Sequence, residues 1–345
     1  MTEIPIQNIY YLLCYAWDKL EEKNTLSVDE VEGDHVIDLL ANVLVHGTAH
    51  LMRRGLDRGY LSTEEASRTI RGRIDLATTV KRQLLRQGRV QVEYDELSYN
   101  VLHNRIVKTT LIQLMRMDNL RREIQEVCYD LVHRMSDVRE IELTGLTFRQ
   151  VQLGRNTSSY DLLIRICELI YENSLPIEEE GRSRFIDFDQ DPSKMRVLFQ
   201  TFVTNFYKRH RPDLQVIGDK KVEWEGEPYD DESASLLPNM KVDISLEAPD
   251  KHILIDTKFT AKSLQKHPHS ELRRLRSEHL YQLYAYATNM AAIETEKPVE
   301  AILLYPTVER NLKSAYSMPG RQIRVATVDL SVEWQSIHEQ LLALI

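Results

Sequence analysis

The chain has 345 residues, more than one hydrophobic core ordinarily serves, so two domains are the starting expectation. Its 42% hydrophobic and 28% charged residues are those of a soluble globular protein and exclude a disordered, collagen-like or coiled-coil chain. The 53 acidic residues outnumber the 44 basic ones for a net charge of −9, which excludes a protein that coats nucleic acid by bulk electrostatics.

The opening residues carry neither a basic leader nor a small-residue cleavage site, and no apolar run reaches the length of about 18 residues that a membrane helix needs. A cytoplasmic protein, neither secreted nor membrane-spanning, is expected. Cys14, Cys128 and Cys167 are scattered and form no C-x-x-C pair, so they read as buried thiols rather than a disulfide framework or a zinc site.

Apolar residues at helical spacing predict core helices over Ile6 to Leu20 and Val36 to Met52. From Thr69 the pattern shortens to RTIRGRIDL and GRVQVEYDEL, whose alternation, with Gly72 and Gly88, predicts strands or a projecting hairpin. Helices are predicted again over Asn104 to Met117, Leu120 to Met135 and Ser159 to Asn173. Ser174 to Asp191, with Pro176, Gly181 and the Glu178 to Glu180 run, is the linker candidate, and a domain boundary is expected near 175 to 190. Beyond it come a helix from Lys194 to Arg209, stopped by Pro212, and a polar, acidic loop to Asn239. Two short strands, a basic loop and a helix from Glu278 to Ala292 follow. The chain ends with strands at Ala301 to Tyr305 and Gln322 to Asp329 and a helix from Val332, a small mixed α/β layer.

Basic residues gather in two stretches. Arg68 to Arg89 holds Arg68, Arg71, Arg73, Lys81, Arg82, Arg86 and Arg89 against Asp75 alone, and Lys262 to Arg276 holds a second cluster. A charge run is ordinarily a solvated face, so each needs a chemical neighbour before it means more.

That neighbour lies in the two strands around Pro249-Asp250. With the turn centred there, Val242, Ile244 and Leu246 oppose Thr257, Ile255 and Ile253 on an apolar face, and Asp243 falls opposite Asp256 on the reverse. Directly opposed residues have Cβ atoms about 4.5 to 5.5 Å apart. Two carboxylates that close repel unless a cation separates them, and Mg²⁺ suits a site offering two carboxylates and water. Lys258, two places along from Asp256, reaches the same site and can hold an attacking water or a developing phosphate charge. Gln282 and Tyr286 follow at i, i+4 on one helical face, where they can orient groups beside a phosphate.

The order Asp243, Asp256-Thr-Lys258, Gln282-x-x-x-Tyr286 resembles the PD-(D/E)-x-K nuclease superfamily, in the subgroup with Q-x-x-x-Y on the following helix. The opening Ile6-Gln-Asn8-Ile-Tyr10-Tyr-Leu-Leu-Cys-Tyr15-Ala-Trp17, Gly72-Arg73-Ile74, Asn104-Arg105-Ile106 and Leu304-Tyr305-Pro306 are similar to McrC, the nuclease-subunit family of the modified-cytosine-dependent McrBC restriction systems. The resemblance runs nearly end to end. It implies an α+β protein: a mainly helical, partner-binding domain with a small β element over 1–180, and a PD-(D/E)-x-K restriction-endonuclease-like domain over 181–345. It implies Mg²⁺, or Mn²⁺, held by Asp243, Asp256 and the backbone carbonyl of Thr257, with Lys258, Gln282 and Tyr286 completing the catalytic set. The implied partners are a McrB-like AAA+ GTPase hexamer, whose GTPase is stimulated, and double-stranded DNA with modified cytosine. This chain has no G-x-x-x-x-G-K-[ST], so no nucleotide of its own is expected. One departure stands out: where many superfamily members place a metal-proximal glutamate before the hairpin, this chain has Gln200.

Other chemistries have less support. His267 and His269 sit in a basic loop without further zinc ligands at definite spacing, and no G-x-S-x-G elbow supports a serine hydrolase. The rival reading is a non-catalytic assembly subunit that regulates an AAA+ motor and keeps the nuclease fold as scaffold.

Overall fold

In the computed structural model, which describes residues 4–19, 35–177, 182–226, 228–260, 263–266, 273–293, 297–307, 311–318 and 321–345, helix α1 (Ile6–Ala16) is buried without interruption from Asn8 to Tyr15. A helix apolar all round must be covered on every side. The cover comes from far along the chain. Tyr15 meets Phe202 and Phe206, with ring centroids 5.3 and 5.7 Å away, and the Asn205 amide donates to the carbonyls of Tyr15 and Ala16 at 3.0 and 3.2 Å. The Asn8 amide donates to the carbonyls of Leu330 and Val332, both at 2.8 Å.

The chain accordingly divides into Met1–Asn24 with Phe188–Ile345, and Thr25–Asp187. This corrects the expected division at 180/181. The later boundary falls inside the window anticipated near 175 to 190, but the first helix belongs to the C-terminal unit because that unit's aromatic residues bury it.

The Thr25–Asp187 unit runs α2 (Val36–Arg54), β1 (Gly59–Ser67), β2 (Arg73–Ile74), α3 (Leu76–Lys81), β3 (Val90–Ser98), α4 (Leu102–Met115), α5 (Arg122–Arg134), α6 (Gly145–Arg149), α7 (Asp161–Glu172), β4 (Ser174–Pro176) and β5 (Ser183–Phe185). Helices α2, α4, α5 and α7 pack their apolar stripes together as its core. At Gly47 the helices approach closely: an added Cβ would lie 2.4 Å from Leu163 Cδ2, so a side chain there requires Leu163 to shift. Within the expected linker β4 and β5 pair antiparallel; its Glu178 to Glu180 run lies outside the described residues.

The anticipated hairpin is present but begins earlier than expected. β1 pairs antiparallel with β3 from Gly59↔Ser98 to Ser67↔Val90, and β2 joins the far side of β3 through Arg73↔Glu93. Gly72 makes the turn into β2 at φ +64°, with the Glu93 carbonyl 2.3 Å from where a Cβ would sit. Only glycine fits that position. Asp75 then caps α3 by accepting from Thr78 N–H at 3.0 Å.

Both roots of this hairpin are tied to one buried side chain, Asn104. Its amide donates to the carbonyls of Asp57 and Tyr99 at 3.0 and 2.8 Å, and its carbonyl accepts from the Tyr160 hydroxyl at 2.7 Å. Asn104→Ala removes all three bonds from a largely buried position, so a loss of about 2–3 kcal/mol of stability is expected in denaturant titration. An unchanged midpoint would mean that water takes over the amide's bonds.

The other unit continues with α8 (Pro192–His210), β6 (Gln215–Val222), α9 (Asp231–Leu236), β7 (Met240–Glu247), β8 (His252–Thr257), β9 (Leu264–Lys266), β10 (Arg273–Leu275), α10 (Ser277–Ile293), β11 (Val299–Pro306), β12 (Lys313–Met318), β13 (Arg321–Val328) and α11 (Trp334–Leu342). Asp191 caps α8 through the Ser193 and Lys194 N–H groups, and Pro192 occupies its first turn.

Six strands form one mixed sheet in the order β12-β13-β11-β8-β7-β6. β8 runs antiparallel to β7 and parallel to β11, so α10 is the crossover of a β-α-β unit. Two of these strands were not expected: β6 falls in the supposed acidic loop, and β12 precedes the last strand. In the basic loop, β9 and β10 pair as a short hairpin, while His267 and His269 lie outside the described residues.

The expected small mixed layer is therefore a six-stranded sheet, and all six residues of β8 are buried. On one face Leu254, Ala301, Leu303 and Tyr305 pack with Leu283, Ala287 and Met290 of α10. On the other, Phe199 of α8 meets Phe259, ring centroids 5.9 Å apart. Cys14, Cys128 and Cys167 are free and buried. Among the described residues no helix is long and apolar enough to cross a membrane.

Candidate active site

The β7–β8 register is the expected one, with Ile244 paired to Ile255 and Leu246 to Ile253. The ladder stops there because a side chain makes the next bond. Asp243 Oδ2 accepts from the Thr257 N–H at 2.8 Å and from the Thr257 hydroxyl at 2.7 Å. Asp243 thus stands at the exit of β8 beside Asp256, held by Thr257 instead of by a backbone pair.

Asp256 is 1% exposed, and Lys258 Nζ lies 2.8 Å from its Oδ2. That oxygen accepts no aligned hydrogen bond among the described residues, so the ammonium alone compensates it. Burial pushes the Asp256 carboxyl up to about 6; Lys258 works against this rise, and Asp243 adds to it. A buried carboxylate beside a second carboxylate, with a single ammonium as its compensation, has the chemistry of a hard-cation ligand. No group of three or more His, Cys, Asp and Glu side chains arranged for a metal occurs among the described residues. The protein offers an incomplete oxygen set, which fits Mg²⁺ because that ion keeps several waters.

The structure brings Asp243, Asp256, Thr257 and Lys258 together. Gln282 and Tyr286 meet each other, the Gln282 amide donating to the Tyr286 hydroxyl at 2.7 Å. No hydrogen bond or ion pair among the described residues joins either to the carboxylates or to Lys258. Tyr286 faces the core of α10 and Gln282 faces solvent. If the site is the nuclease centre that the sequence resemblance implies, Gln282→Ala or Tyr286→Phe should cost about tenfold in cleavage, the worth of one hydrogen bond, against a loss of several orders of magnitude for a carboxylate. Equal losses in a single-turnover assay would give the pair a direct role.

Gln200 has no bond to the carboxylates. Its amide donates to Asp219 Oδ1 at 2.9 Å, and Asp219 also pairs with Lys241 at 3.0 Å. Asp219, at φ +55°, lies between the pairs Gly218↔Ile244 and Lys220↔Val242, which sets it across from Asp243. Sequence reasoning passed over this acid because β6 was not recognised as a strand. It also passed over His279 and Tyr305, whose Nδ1 and hydroxyl are 2.8 Å apart. The available signal was spacing, since His279, Gln282 and Tyr286 fall on one stripe of α10.

Fold and site define an α+β protein with a carboxylate–lysine centre at the exit of its central strand. The chain matches the model of the McrBC 5-methylcytosine restriction system component family over residues 6–306, and it belongs to that family. It is 32% identical over 339 residues to the Escherichia coli (strain K12) type IV methyl-directed restriction enzyme EcoKMcrBC, covering 98% of this chain and 96% of the relative. Its fold is similar to that of a chain in the Thermococcus gammatolerans assembly of McrB AAA+ hexamers with bound McrC. The TM-score is 0.63 at 15% identity, over 99% of this chain and 76% of that one.

Proposed function

We propose that this chain is the nuclease subunit of a GTP-driven, methylcytosine-dependent restriction complex, a cytoplasmic endonuclease that works with a McrB-like AAA+ hexamer and stimulates its GTPase. The observation that carries the reading is the convergence of Asp243, Asp256 and Lys258 at the end of β8, with Asp256 buried and compensated by the Lys258 ammonium. The relative's activity as a methyl-directed restriction enzyme and the McrB partner of the similar Thermococcus gammatolerans chain support the assignment.

Asp243, Asp256 and the Thr257 carbonyl would hold Mg²⁺ or Mn²⁺. When bound, the ion polarises the phosphodiester and lowers the pKa of an attacking water. The protein supplies the rest. Thr257 fixes the Asp243 carboxylate, so its charge needs no reorganisation when substrate arrives. Asp256 orients the Lys258 ammonium, whose remaining protons can donate to a nonbridging phosphate oxygen or hold the attacking water.

Reconstitution with the McrB-like partner, GTP, Mg²⁺ and methylated DNA tests the reading. Cutting should require both proteins, stop on chelation and resume with Mg²⁺ or Mn²⁺, while Ca²⁺ binds without supporting turnover well. Asp243→Ala and Lys258→Ala should abolish it with assembly intact. Folded variants that cut at the wild-type rate would mean that the site is misassigned, and a complex that never cuts would favour a scaffold subunit without catalysis.

A further inference from the structure

His279 precedes Gln282 and Tyr286 on α10, and its partner lies in the floor of the site. Tyr305 is wholly buried on β11, one place beyond the pair Leu304↔Thr257 and therefore in register with Lys258. The Lys258 N–H donates to the Leu304 carbonyl at 2.9 Å, which carries that register past the end of the ladder. Leu303 pairs with Asp256, so Tyr305, two places on, shares the Asp256 face. The Tyr305 hydroxyl, 2.8 Å from His279 Nδ1, anchors the imidazole above the catalytic strand end.

The other ring nitrogen is not used within the described residues. Its nearest carboxylate, Glu278, is 3.8 Å from Nε2, beyond hydrogen-bond reach, and Arg276 engages that carboxylate at 2.7 Å. Burial, and after it the positive charge of Lys258, hold the imidazole neutral, with its pKa down to about 4. Burial pushes the Tyr305 phenol well above its ordinary range, so it keeps its proton and can donate it to Nδ1. A neutral ring that accepts at Nδ1 carries its hydrogen on Nε2.

The geometry points to His279 as a phosphate-binding residue of this site, its Nε2–H donating to a nonbridging oxygen of the DNA backbone at or beside the scissile phosphodiester. This inference rests on the nuclease reading. A neutral donor next to Lys258 adds a directed hydrogen bond without a second charge to repel the ammonium. The side chain is 15% exposed, so one edge reaches solvent while its body stays packed.

The test uses the chain assembled with its McrB-like partner. Binding of a fluorescein-labelled DNA duplex in Ca²⁺ is read by anisotropy, and single-turnover cutting is read in Mg²⁺. His279→Ala should weaken duplex binding about tenfold and slow cutting by at least as much, as loss of one hydrogen bond to a charged group requires. His279→Gln, whose amide N–H can reach the Nε2 position, should recover most of both. Tyr305→Phe, which keeps the packing and loses the anchor, should fall between. If His279→Ala does not assemble, His279→Phe replaces it, keeping a ring without the donor, with the same losses expected. An assembled His279→Ala or His279→Phe with wild-type affinity and rate overturns the inference, as does a His279→Gln no better than either. Asp256→Ala separates the two levels: if it is dead while the His279 variants are normal, only this inference falls, and if it cuts, the nuclease reading falls.

Discussion

Asp256→Asn is expected to abolish DNA cleavage and at the same time to raise the thermal stability of the protein in metal-free buffer. The two effects have one cause. A carboxylate that is 1% exposed, with a single ammonium as compensation and Asp243 beside it, is destabilising in the folded chain, which is why its proton affinity rises. The neutral amide removes that penalty and, in the proposed nuclease, the carboxylate that would hold the cation. Loss of the cation should remove several kcal/mol of transition-state stabilisation, about three orders of magnitude or more in rate. Melting curves with and without Mg²⁺ provide the independent check, because a ligand that binds only the folded state raises its melting temperature. Mg²⁺ should raise that of the wild type and leave that of Asp256→Asn almost unmoved. A variant that melts lower than the wild type in chelator, or gains as much from Mg²⁺, would place the cation elsewhere.

The hairpin that carries this site was readable because its alternation is clean. Ile244, Leu246, Ile253 and Ile255 fix the register around Pro249-Asp250, and a slip of one residue would exchange the faces of the strand. The neighbouring β6 was not readable for the opposite reason. Gly218, Asp219, Lys220 and Lys221 interrupt its pattern, as suits a sheet edge, and the acid that lies across from Asp243 went unnoticed with it. Strand β1 was missed because its less exposed residues are only half-buried and mix Leu61 and Ala66 with Thr63 and Ser67, so no clear apolar period marks it. For α1 the periodicity foretold burial but could not say against what; Phe202, Phe206 and Asn205 decide that from nearly 200 positions away. Asn8, Gly72 and Asn104, which all fall in the segments that carry the resemblance, each have a local reason. Asn8 ties α1 to the chain near Leu330, Gly72 turns where a side chain would collide, and Asn104 fastens the hairpin roots.

Joint replacement of Arg71, Arg73, Arg82 and Arg86 by alanine should reduce stimulation of the McrB-like partner's GTPase more than tenfold and weaken assembly, yet leave the chain's own DNA affinity nearly unchanged. All four side chains are exposed on the segment between β1 and β3, and none makes an ion pair among the described residues. Exposed apolar side chains accompany them: Ile70, Leu76, Val80 and Leu85 are each more than 60% exposed. That mixture favours a protein partner. A surface that tracks the DNA backbone needs cations and gains little from exposed leucine and isoleucine, whereas protein interfaces combine an apolar centre with arginines that pair in bidentate fashion with carboxylates. The segment also belongs to a different compact unit from Asp243, Asp256 and Lys258, so losing it should not touch the cleavage chemistry itself. Salt separates the alternatives, because backbone contacts release counterions and each lost contact lowers the slope of log affinity against log salt by about 0.9. If the quadruple variant stimulates the GTPase normally and its DNA-binding slope drops by about three or four, these arginines are phosphate contacts and the hairpin belongs to the DNA.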